Sequence, residues 1–214
     1  MITRQLARKY GVKADYQIPK IPDELRHAKT PREKKYLDII ESLMNTVKKD
    51  PMTGLQHKEH FRTQKKGPGV YIMIDGDGLK KLNDTYGHEA GHAAILSLSD
   101  GIKATLRSQD KATVTPPKAD AMRAGGDEFL VHVVDVPMSS GVAIAKRMLE
   151  NIHKQKISTH YVGDSDIKKA LDHLVLKASI GVGYSEADSD KAMYKAKEKG
   201  RDRVEFHRQL KKAA

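Results

Sequence analysis

The stretch from Arg123 to Phe129, R-A-G-G-D-E-F, places two glycines and two acids directly before an apolar run. Consecutive glycines predict a hairpin turn without side chains, which a triphosphate could approach closely. The apolar run over residues 128–136 is typical of a buried strand. The stretch therefore predicts an acidic hairpin at the start of a strand.

A second acidic cluster follows another predicted strand. Residues 69–74 are a short apolar run, and D-G-D-G at residues 75–78 comes directly after it. Carboxylates that converge at strand ends suit hard cations, because Mg²⁺ takes oxygen ligands and completes its shell with phosphates. Two such ions can hold the attacking and leaving oxygens of a phosphoryl displacement. Gly78 and Leu79 begin a predicted helix, whose free N–H groups could hold phosphates.

Alternating strands and helices make up most of the remaining chain. Helices are predicted over about residues 31–49, 90–106, 140–153 and 188–199, and a third strand over residues 177–184. This alternation predicts an α/β fold class, with helices packed on a sheet as an α+β sandwich. Residues 111–120 are predicted to form a loop or hairpin insertion, and residues 158–169 a polar excursion.

The region before residue 50 is predicted to have two parts. Residues 1–29 are read as an irregular basic arm, and residues 30–49 as an amphipathic lead-in helix. The helix opens with T-P-R-E at residues 30–33, which has the form of a capping box with proline at the first helical position. Its apolar stripe consists of Leu37, Ile40, Leu43, Met44 and Val47. Two interpretations of the stripe are open, namely packing on its own domain and pairing as a dimerising stalk.

The composition limits the classes of partner. The 214 residues contain no cysteine and carry a formal charge of +11, which excludes disulfides and favours polyanions. Three phenylalanines and no tryptophan leave few platforms for stacking bases, so nucleic acid is open as a partner but unsupported. The sequence has no apolar leader or membrane-length run, so a cytoplasmic protein without a membrane partner is expected.

Five motifs in order resemble those of one family. They are D-P-M-T-G-L at residues 50–55, D-G-D-G-L-K-K-L-N-D-T-Y-G-H at 75–88, G-G-D-E-F at 125–129, S-I-G at 179–181, and A-M-Y-K-A-K with G-R within 192–201. Over about residues 48–206 the chain resembles the GGDEF family of diguanylate cyclases. The resemblance implies a palm-like nucleotidyl cyclase fold, in which helices flank a central, mostly antiparallel sheet. It implies a cyclase domain over residues 50–207, followed by a basic tail over residues 208–214.

The resemblance also implies catalytic roles for three acids. Asp75 and Asp127 would ligate the metals, two Mg²⁺ or Mn²⁺ ions per active site, with help from the Gly76 carbonyl. Glu128 would be a further metal ligand or would help to deprotonate the attacking 3′-hydroxyl.

Substrate-binding roles follow from the same resemblance. The triphosphate would be held by the N–H groups of Gly78 and Leu79 and by the side chains of Lys80, Lys197 and Arg201. Asn83 would contact the base. In the family, two GTP-loaded domains face one another and each 3′-oxygen attacks the other's α-phosphate. Two pyrophosphates leave and cyclic di-GMP forms, so the implied mechanism includes a homodimer.

His92 is the largest departure from the family pattern, which has an aspartate there that pairs with the guanine edge. A neutral imidazole has one acceptor and one donor, so it cannot accept from two guanine N–H groups as a carboxylate does. Two hypotheses are open: altered base choice that admits ATP or a mixed product, and a guanine preference kept by Asn83. Gly78 and Leu79 also replace bulkier residues, so looser packing is expected beside the phosphates.

Regulation by product is not expected at the usual place. The family's R-x-x-D inhibition motif lies five residues before the hairpin, and this chain has Pro116 and Ala119 at those positions. Arg107 and Asp110 form a displaced R-x-x-D pair, which leaves feedback binding as a weaker alternative. About 49 residues before the domain cannot hold a typical sensor domain, so control is expected through the arm, the helix, a partner or expression level.

Two rival functions deserve weighing against a cyclase. Residues 88–92, H-E-A-G-H, match the H-E-x-x-H string of zinc peptidases, but Gly87 and Gly91 are expected to weaken a helix there and no further ligand is evident. The other rival is a module that binds nucleotide without turnover. Many GGDEF-like domains lose catalysis by losing their acids, and this chain retains them, which favours an enzyme.

Overall fold

The structure is a computed structural model that describes residues 30–107, 118–159 and 162–207. The chain divides into two units, one ending at Lys49 and the other beginning at Asp50. Helix α1, Pro31–Lys48, belongs to the first unit. The sheet and the other described helices belong to the second.

Helix α1 begins with the predicted capping box. The Glu33 N–H donates to Thr30 Oγ1 at 3.2 Å, and the Thr30 N–H donates to Glu33 Oε2 at 3.0 Å. These reciprocal bonds satisfy N–H groups that a helix start leaves without intrahelical partners. The predicted start of the helix is therefore confirmed.

The apolar stripe of α1 is described in part. Leu43 is 61% exposed, and Ile39, which lies next to the stripe, is 45% exposed. Met44 and Val47 lie outside the described side chains. Packing and dimerisation therefore both stay predictions for this helix.

A mixed, six-stranded sheet forms the centre of the second unit. Its strands are β1 (Gln56–His57), β2 (Gly69–Gly76), β3 (Ala119–Gly125), β4 (Glu128–Val134), β5 (Ala178–Gly183) and β6 (Arg203–Phe206). They lie in the order β1-β3-β4-β2-β5-β6. The three central pairings are antiparallel, whereas β1 with β3 and β5 with β6 are parallel.

Helices cover the sheet and complete the predicted fold class. They are α2 (Lys58–Thr63), α3 (Leu79–Tyr86), α4 (His88–Arg107), α5 (Met138–Lys154), α6 (Ser165–Asp172) and α7 (Glu186–Glu198). A mostly antiparallel sheet with flanking helices confirms the palm-like α/β prediction. None of the described helices is long and apolar enough to cross a bilayer.

Strand β2 shows how the sheet divides the core between its faces. Ile72 and Ile74 are fully buried in a cluster with side chains of α4 and α5. Met73 points to the opposite face, since side chains alternate along a strand, and packs with Phe61 of α2 and Met193 of α7. Burying one such side chain contributes about 1.5–3 kcal/mol. Because both faces are covered, this strand reads as a continuous apolar run.

Helix α7 lies directly on β5 because Gly181 has no side chain. A Cβ at Gly181 would collide with the backbone of Ser189 and Met193. This close approach brings the last turn of α7 to the acidic end of β2, where Lys197 contacts Asp75.

Strand β3 is the main difference from the sequence prediction. Residues 111–120 are predicted as a loop or insertion, yet Ala119 and Asp120 begin β3. The strand reads A-D-A-M-R-A-G and lacks the branched and aromatic residues that favour strands. These residues form a strand because they pair with β4. The pairing runs from Ala119 opposite Val133 to Gly125 opposite Glu128.

Short elements account for the other differences. The predicted polar excursion contains the start of α6, which Asp164 caps by accepting from the N–H groups of Asp166 and Ile167 at 2.7 and 3.0 Å. The elements β1, α2 and β6 have two, six and four residues and were not predicted. Segments this short carry too little periodicity to be recognised.

Candidate active site

The β3–β4 hairpin brings the predicted acids to the end of β2. Gly126 in its turn has a φ of 53°, a left-handed conformation that favours glycine. Asp75 lies opposite Glu128 in the pairing of β2 with β4. The Gly76 N–H donates to the Asp127 carbonyl at 3.1 Å. The three residues proposed for catalysis therefore meet at one end of the sheet.

Gly76 permits this close approach. A Cβ built on Gly76 would lie 2.6 Å from Leu98 Cδ1 and 3.2 Å from Asp127 Cβ. Any side chain would push either the α4 leucine or the hairpin away. The glycine is therefore a packing requirement, apart from the metal contact predicted for its carbonyl.

Asp127 has a raised pKa. Burial is the largest cause, and the negative charge of Asp75 adds to it. The Lys197 ammonium and a backbone hydrogen bond act in the opposite direction, and Glu128 raises the pKa again. Partly buried carboxylates that repel one another are stabilised when a cation binds between them.

The donor set suits a hard divalent cation. The carboxylates of Asp75 and Asp127 and the Gly76 carbonyl all offer oxygen, and Mg²⁺ is commonly held by one or two carboxylates together with substrate phosphates. Within the described ranges, no three or more His, Cys, Asp or Glu side chains form a metal-binding group. These oxygen donors fit a divalent metal whose coordination shell is completed by the oxygens of a bound phosphate.

Two predicted triphosphate-binding cations lie beside the acids. Lys197 Nζ is 2.7 Å from Asp75 Oδ2. Arg201 has a left-handed φ of 63°, its Nε lies 3.9 Å from Asp77 Oδ1, and its side chain is 61% exposed. Lys197 thus neutralises a carboxylate predicted to be catalytic, while Arg201 reaches into solvent.

Asp77 anchors the end of β2, a role that the sequence patterns do not reveal. Its Oδ1 accepts from Ser179 Oγ at 2.8 Å, and its Oδ2 accepts from the Asp202 N–H at 3.0 Å. Its own N–H donates to the Lys177 carbonyl at 2.9 Å. Its side chain is 7% exposed. Asp77 is therefore a structural acid next to those predicted to be catalytic, and the spacing D-G-D alone does not separate the two roles.

Arg123 braces the hairpin turn. Its Nε donates to the Gly126 carbonyl at 2.8 Å, and its Nη1 lies 3.5 Å from Asp50 Oδ2. Asp50 Oδ1 accepts from the Thr53 N–H at 2.8 Å and from Thr53 Oγ1 at 2.7 Å. The motif at residues 50–55 therefore supports the hairpin motif at residues 125–129, a role that the sequence analysis did not predict for these side chains. The position of Asp50 and Thr53 inside a motif was the only feature of the sequence that could have indicated it.

The predicted phosphate-binding helix start is present. Gly78 is the N-cap residue of α3 with a φ of 82°, and no atom lies within 4 Å of a Cβ built there. Leu79 is the first residue of α3, and Lys80 follows it with an exposed side chain. The helix start therefore leaves room beside its free N–H groups.

Asn83 and His92 lie near the junction of α3 and α4. A Cβ at Gly91 would collide with Asn83 Oδ1, so α3 and α4 cross closely at this point. That oxygen is buried and has no hydrogen-bond partner among the described residues. His92, near the start of α4, is exposed. A buried acceptor without a partner is costly, so Asn83 suits a ligand that donates an N–H group.

The H-E-A-G-H string at residues 88–92 does lie on a helix. Helix α4 begins at His88, so Gly87 precedes it and Gly91 lies within its first turns. In the described parts of the chain, no third His, Cys, Asp or Glu side chain joins His88 and His92 in a metal-binding group. Glu89 Oε2 instead accepts from the Gly163 N–H at 3.4 Å. A zinc peptidase therefore has no support from the geometry.

The displaced R-x-x-D pair is described only in part. Arg107 is the last residue of α4 and Ala119 the first of β3, whereas Asp110 and Pro116 lie outside the described residues. Feedback binding at this pair stays a prediction.

Fold and site together define a palm-like α/β domain with an acidic hairpin at its centre. The family described as "Diguanylate cyclase, GGDEF domain" matches residues 38–203, so the chain belongs to the GGDEF family. This match confirms the resemblance carried by the five motifs.

Two curated relatives and one solved structure are similar to this chain. Diguanylate cyclase A of Treponema denticola is 29% identical over 214 residues, covering 85% of this chain and 53% of that protein. A Staphylococcus epidermidis relative called Uncharacterized membrane protein SERP0413 is 26% identical, covering 80% of this chain and 49% of its own length. The chain thus spans about half the length of these relatives. The solved coiled coil and GGDEF domain of DgcB from Caulobacter crescentus, in complex with c-di-GMP, has a TM-score of 0.67 at 16% identity and covers 96% of this chain and 98% of that one.

Proposed function

We propose that this protein is a metal-dependent nucleotidyl cyclase that condenses two GTP molecules into a cyclic dinucleotide such as cyclic di-GMP. The observation that carries the proposal is the meeting of Asp75 and Asp127 at one end of the sheet, with Lys197 beside them. Family membership and a relative named as a diguanylate cyclase support the substrate class.

Divalent metal ions would complete the acidic site. Diguanylate cyclases of this family generally use divalent metals. We propose two Mg²⁺ or Mn²⁺ ions per site, held by Asp75, the Gly76 carbonyl, Asp127 and Glu128. When bound, they supply positive charge to the transferring phosphoryl group. The raised pKa of Asp127 supports this, because the carboxylates repel one another without a cation.

Basic side chains would hold the triphosphate. Lys197 can exchange Asp75 for a phosphate oxygen, and Arg201 is exposed enough to reach one. Lys80 and the N–H groups of Gly78 and Leu79 would hold the remaining phosphate oxygens.

Ring closure needs the same chemical step twice. A 3′-hydroxyl loses its proton, with help from Glu128, and its oxygen bonds to the α-phosphorus of the other GTP. The bond from that phosphorus to pyrophosphate breaks, and pyrophosphate leaves. Two loaded domains must therefore face one another, so the proposed enzyme acts as a homodimer.

Base choice is the finer question. The Asn83 acceptor favours a base edge that donates N–H groups, as guanine does. The exposed His92 imidazole could instead donate to adenine N1, which would admit ATP or a mixed product. Both hypotheses agree on the chemistry and differ only in the nucleotide.

Product analysis tests the proposal. Purified protein with Mg²⁺ is incubated with GTP, with ATP and with their mixture, and products are identified by mass spectrometry beside a pyrophosphate assay. We expect pyrophosphate and a cyclic dinucleotide from GTP, and neither from Asp127→Asn. Tight nucleotide binding without pyrophosphate would favour the non-catalytic module instead. Failure to bind any nucleoside triphosphate would refute both.

A further inference from the structure

A pocket of about 330 Å³ opens between α3, α4 and the segment that precedes β5. This volume is at the small end of the range for ligand pockets. Its described lining includes neither the base-contact candidates Asn83 and His92 nor the acids Asp75 and Asp127. The lining does include Gly76, Gly78 and Leu79, whose backbone groups are proposed to hold metal and phosphate, so the pocket lies directly beside the proposed nucleotide site.

The walls of the pocket are mainly apolar. One side of α3 contributes Leu79, Leu82 and Tyr86, and the facing walls include Leu98, Ile157 and Leu176. Residues 79, 82 and 86 recur at helical spacing, so they share one face of α3. This face would accept the apolar body of a ligand.

The charged groups of the pocket are mostly basic. Lys81 and Lys177 line it, and both side chains are exposed. Among the described residues Lys81 has no hydrogen-bond or ion-pair partner, and Lys177 Nζ lies 3.6 Å from Asp202 Oδ2. The acid in the lining, Asp77, is 7% exposed and accepts hydrogen bonds on both carboxylate oxygens. The charge available to a ligand is therefore positive.

We propose that this pocket is a second ligand site, which binds a small amphipathic organic anion. The apolar body would lie against the leucines of α3, and a carboxylate or sulfonate would lie at Lys81 and Lys177. An apolar pocket with a few charged groups is the usual form of a small-molecule site. The proposal does not depend on cyclase activity.

The pocket shares a wall with residues 76–78, which end β2 and lead into the proposed phosphate-binding start of α3. Gly76, Asp77 and Gly78 line the pocket. Lys177, which also lines it, is bonded to this segment, because the Lys177 carbonyl accepts from the Asp77 N–H at 2.9 Å. An anion at Lys177 would compete with Asp202, whose N–H holds Asp77. A ligand here would therefore act on the loop that precedes α3 without entering the acidic site.

A fluorescent amphipathic anion tests the site. The probe is 1-anilinonaphthalene-8-sulfonate, and N-phenyl-1-naphthylamine is the matched probe without the sulfonate. We expect saturable binding of one sulfonate probe per chain. Lys81→Gln should weaken it about three- to fivefold, as expected for a partly exposed charge pair, and should leave the uncharged probe unchanged. Lys146→Gln, on α5, which does not line the pocket, is the matched control.

Two filling variants address the location. Leu82→Trp and Leu174→Trp place an indole in the pocket from different walls, so each should weaken both probes at least about tenfold. Leu149→Trp on α5 should not, and circular dichroism confirms that each variant is folded. The proposal would be overturned if both probes bound unchanged to the folded Leu82→Trp and Leu174→Trp variants. Equal loss of both probes in Lys81→Gln would also overturn it.

Competition with GTP tests whether the probe binds apart from the proposed nucleotide site. With saturating GTP and Mg²⁺, one probe per chain should still bind. Complete displacement by GTP would show that the pocket belongs to the nucleotide site and would overturn the proposal. A chain that binds the probe but no GTP would contradict the proposed function and support the second site.

Discussion

Acids at one end of the proposed nucleotide site are held by charged and hydrogen-bonding neighbours, whereas the two base-contact candidates at the other end have no such partners among the described residues. Asp75 pairs with Lys197 at 2.7 Å, and the hairpin that carries Asp127 is braced by Arg123. By contrast, Asn83 Oδ1 has no partner within the described residues, and His92 is exposed.

This difference indicates that substitutions at the two ends of the site can have independent effects. A substitution at the acidic end disturbs packing and charge balance together, because Gly76, Asp77 and the hairpin share contacts. A substitution at His92 disturbs little of the fold, since the side chain is exposed. Base preference could therefore vary on a scaffold that retains the proposed phosphoryl chemistry.

The largest expected effect is at the acidic end. Asp127→Asn removes one of the negative charges proposed to hold the metals, so pyrophosphate release from GTP should fall about 10³-fold. The exposed Asp100→Asn, which alters an ion pair with Lys103, is the control. Retained activity in Asp127→Asn would break the proposed link between this carboxylate and catalysis.

A smaller effect is expected at the base end. If His92 relaxes base choice, His92→Asp should raise the preference for GTP over ATP about 10- to 100-fold, because a carboxylate can accept from two guanine N–H groups. Competition assays with both nucleotides measure the ratio. The free energy of unfolding should change by less than about 0.5 kcal/mol, as for other exposed positions. An unchanged ratio would favour guanine preference through Asn83.

Packing at the acidic end should appear in stability. Gly76→Ala places a Cβ 2.6 Å from Leu98 Cδ1, which should lower the free energy of unfolding by about 1–3 kcal/mol. Gly163→Ala is a matched control, since its Cβ meets nothing within 4 Å. Urea unfolding compares the two. Gly76→Ala should cost less stability in a Leu98→Ala background, and an equal cost in both backgrounds would argue against this contact.

The smallest effect concerns His132, which lies on the same face of β4 as Glu128 and is fully buried. Burial lowers its pKa, and the positive charge of Lys66 lowers it further, although Asp120 opposes this. Because the unfolded histidine titrates near 6.5, the unfolded state binds more protons just below that pH. Stability should therefore fall as pH drops from about 6.5 to the folded pKa, by at most about 1.4 kcal/mol per pH unit.

Unfolding between pH 5 and 8 tests this dependence. His132→Phe keeps a ring against Tyr71, whose centroid lies 4.5 Å from that of His132, and removes the titrating group. The stability of the wild type relative to His132→Phe should fall as pH falls. A constant difference across that range would rule out His132 as the source.

Long, strongly patterned segments were predictable. The apolar runs that became β2, β4 and β5 and the periodic segments that became α4, α5 and α7 all appear within a few residues of their predicted bounds. Strand β3 was not predictable, because its small and polar residues become a strand only by pairing with β4. The same limit applies to the short β1 and β6, which are parallel edge strands.

The acids were found by their motifs, while the residues that hold them were not. Asp77 and Asp127 look equivalent in the sequence, yet one accepts hydrogen bonds from Ser179 and the Asp202 backbone, and the other has a pKa raised by burial and Asp75. The brace from Asp50 through Arg123 to Gly126 joins residues more than 70 positions apart. Such contacts depend on distances in space that no spacing along the chain records.

Motif spacing and hydrophobic periodicity are local properties of the chain, so the sequence alone was enough to predict the family, the alternating α/β pattern and the identity of the acids. Tertiary structure decided which acids meet, why Gly76 must lack a side chain, and where a separate pocket forms behind α3. The physical reason is that charge balance and packing depend on neighbours brought together by strand pairing and helix packing. The motif in residues 123–129 identifies the acids of the proposed reaction, and strand pairing in the sheet brings them together.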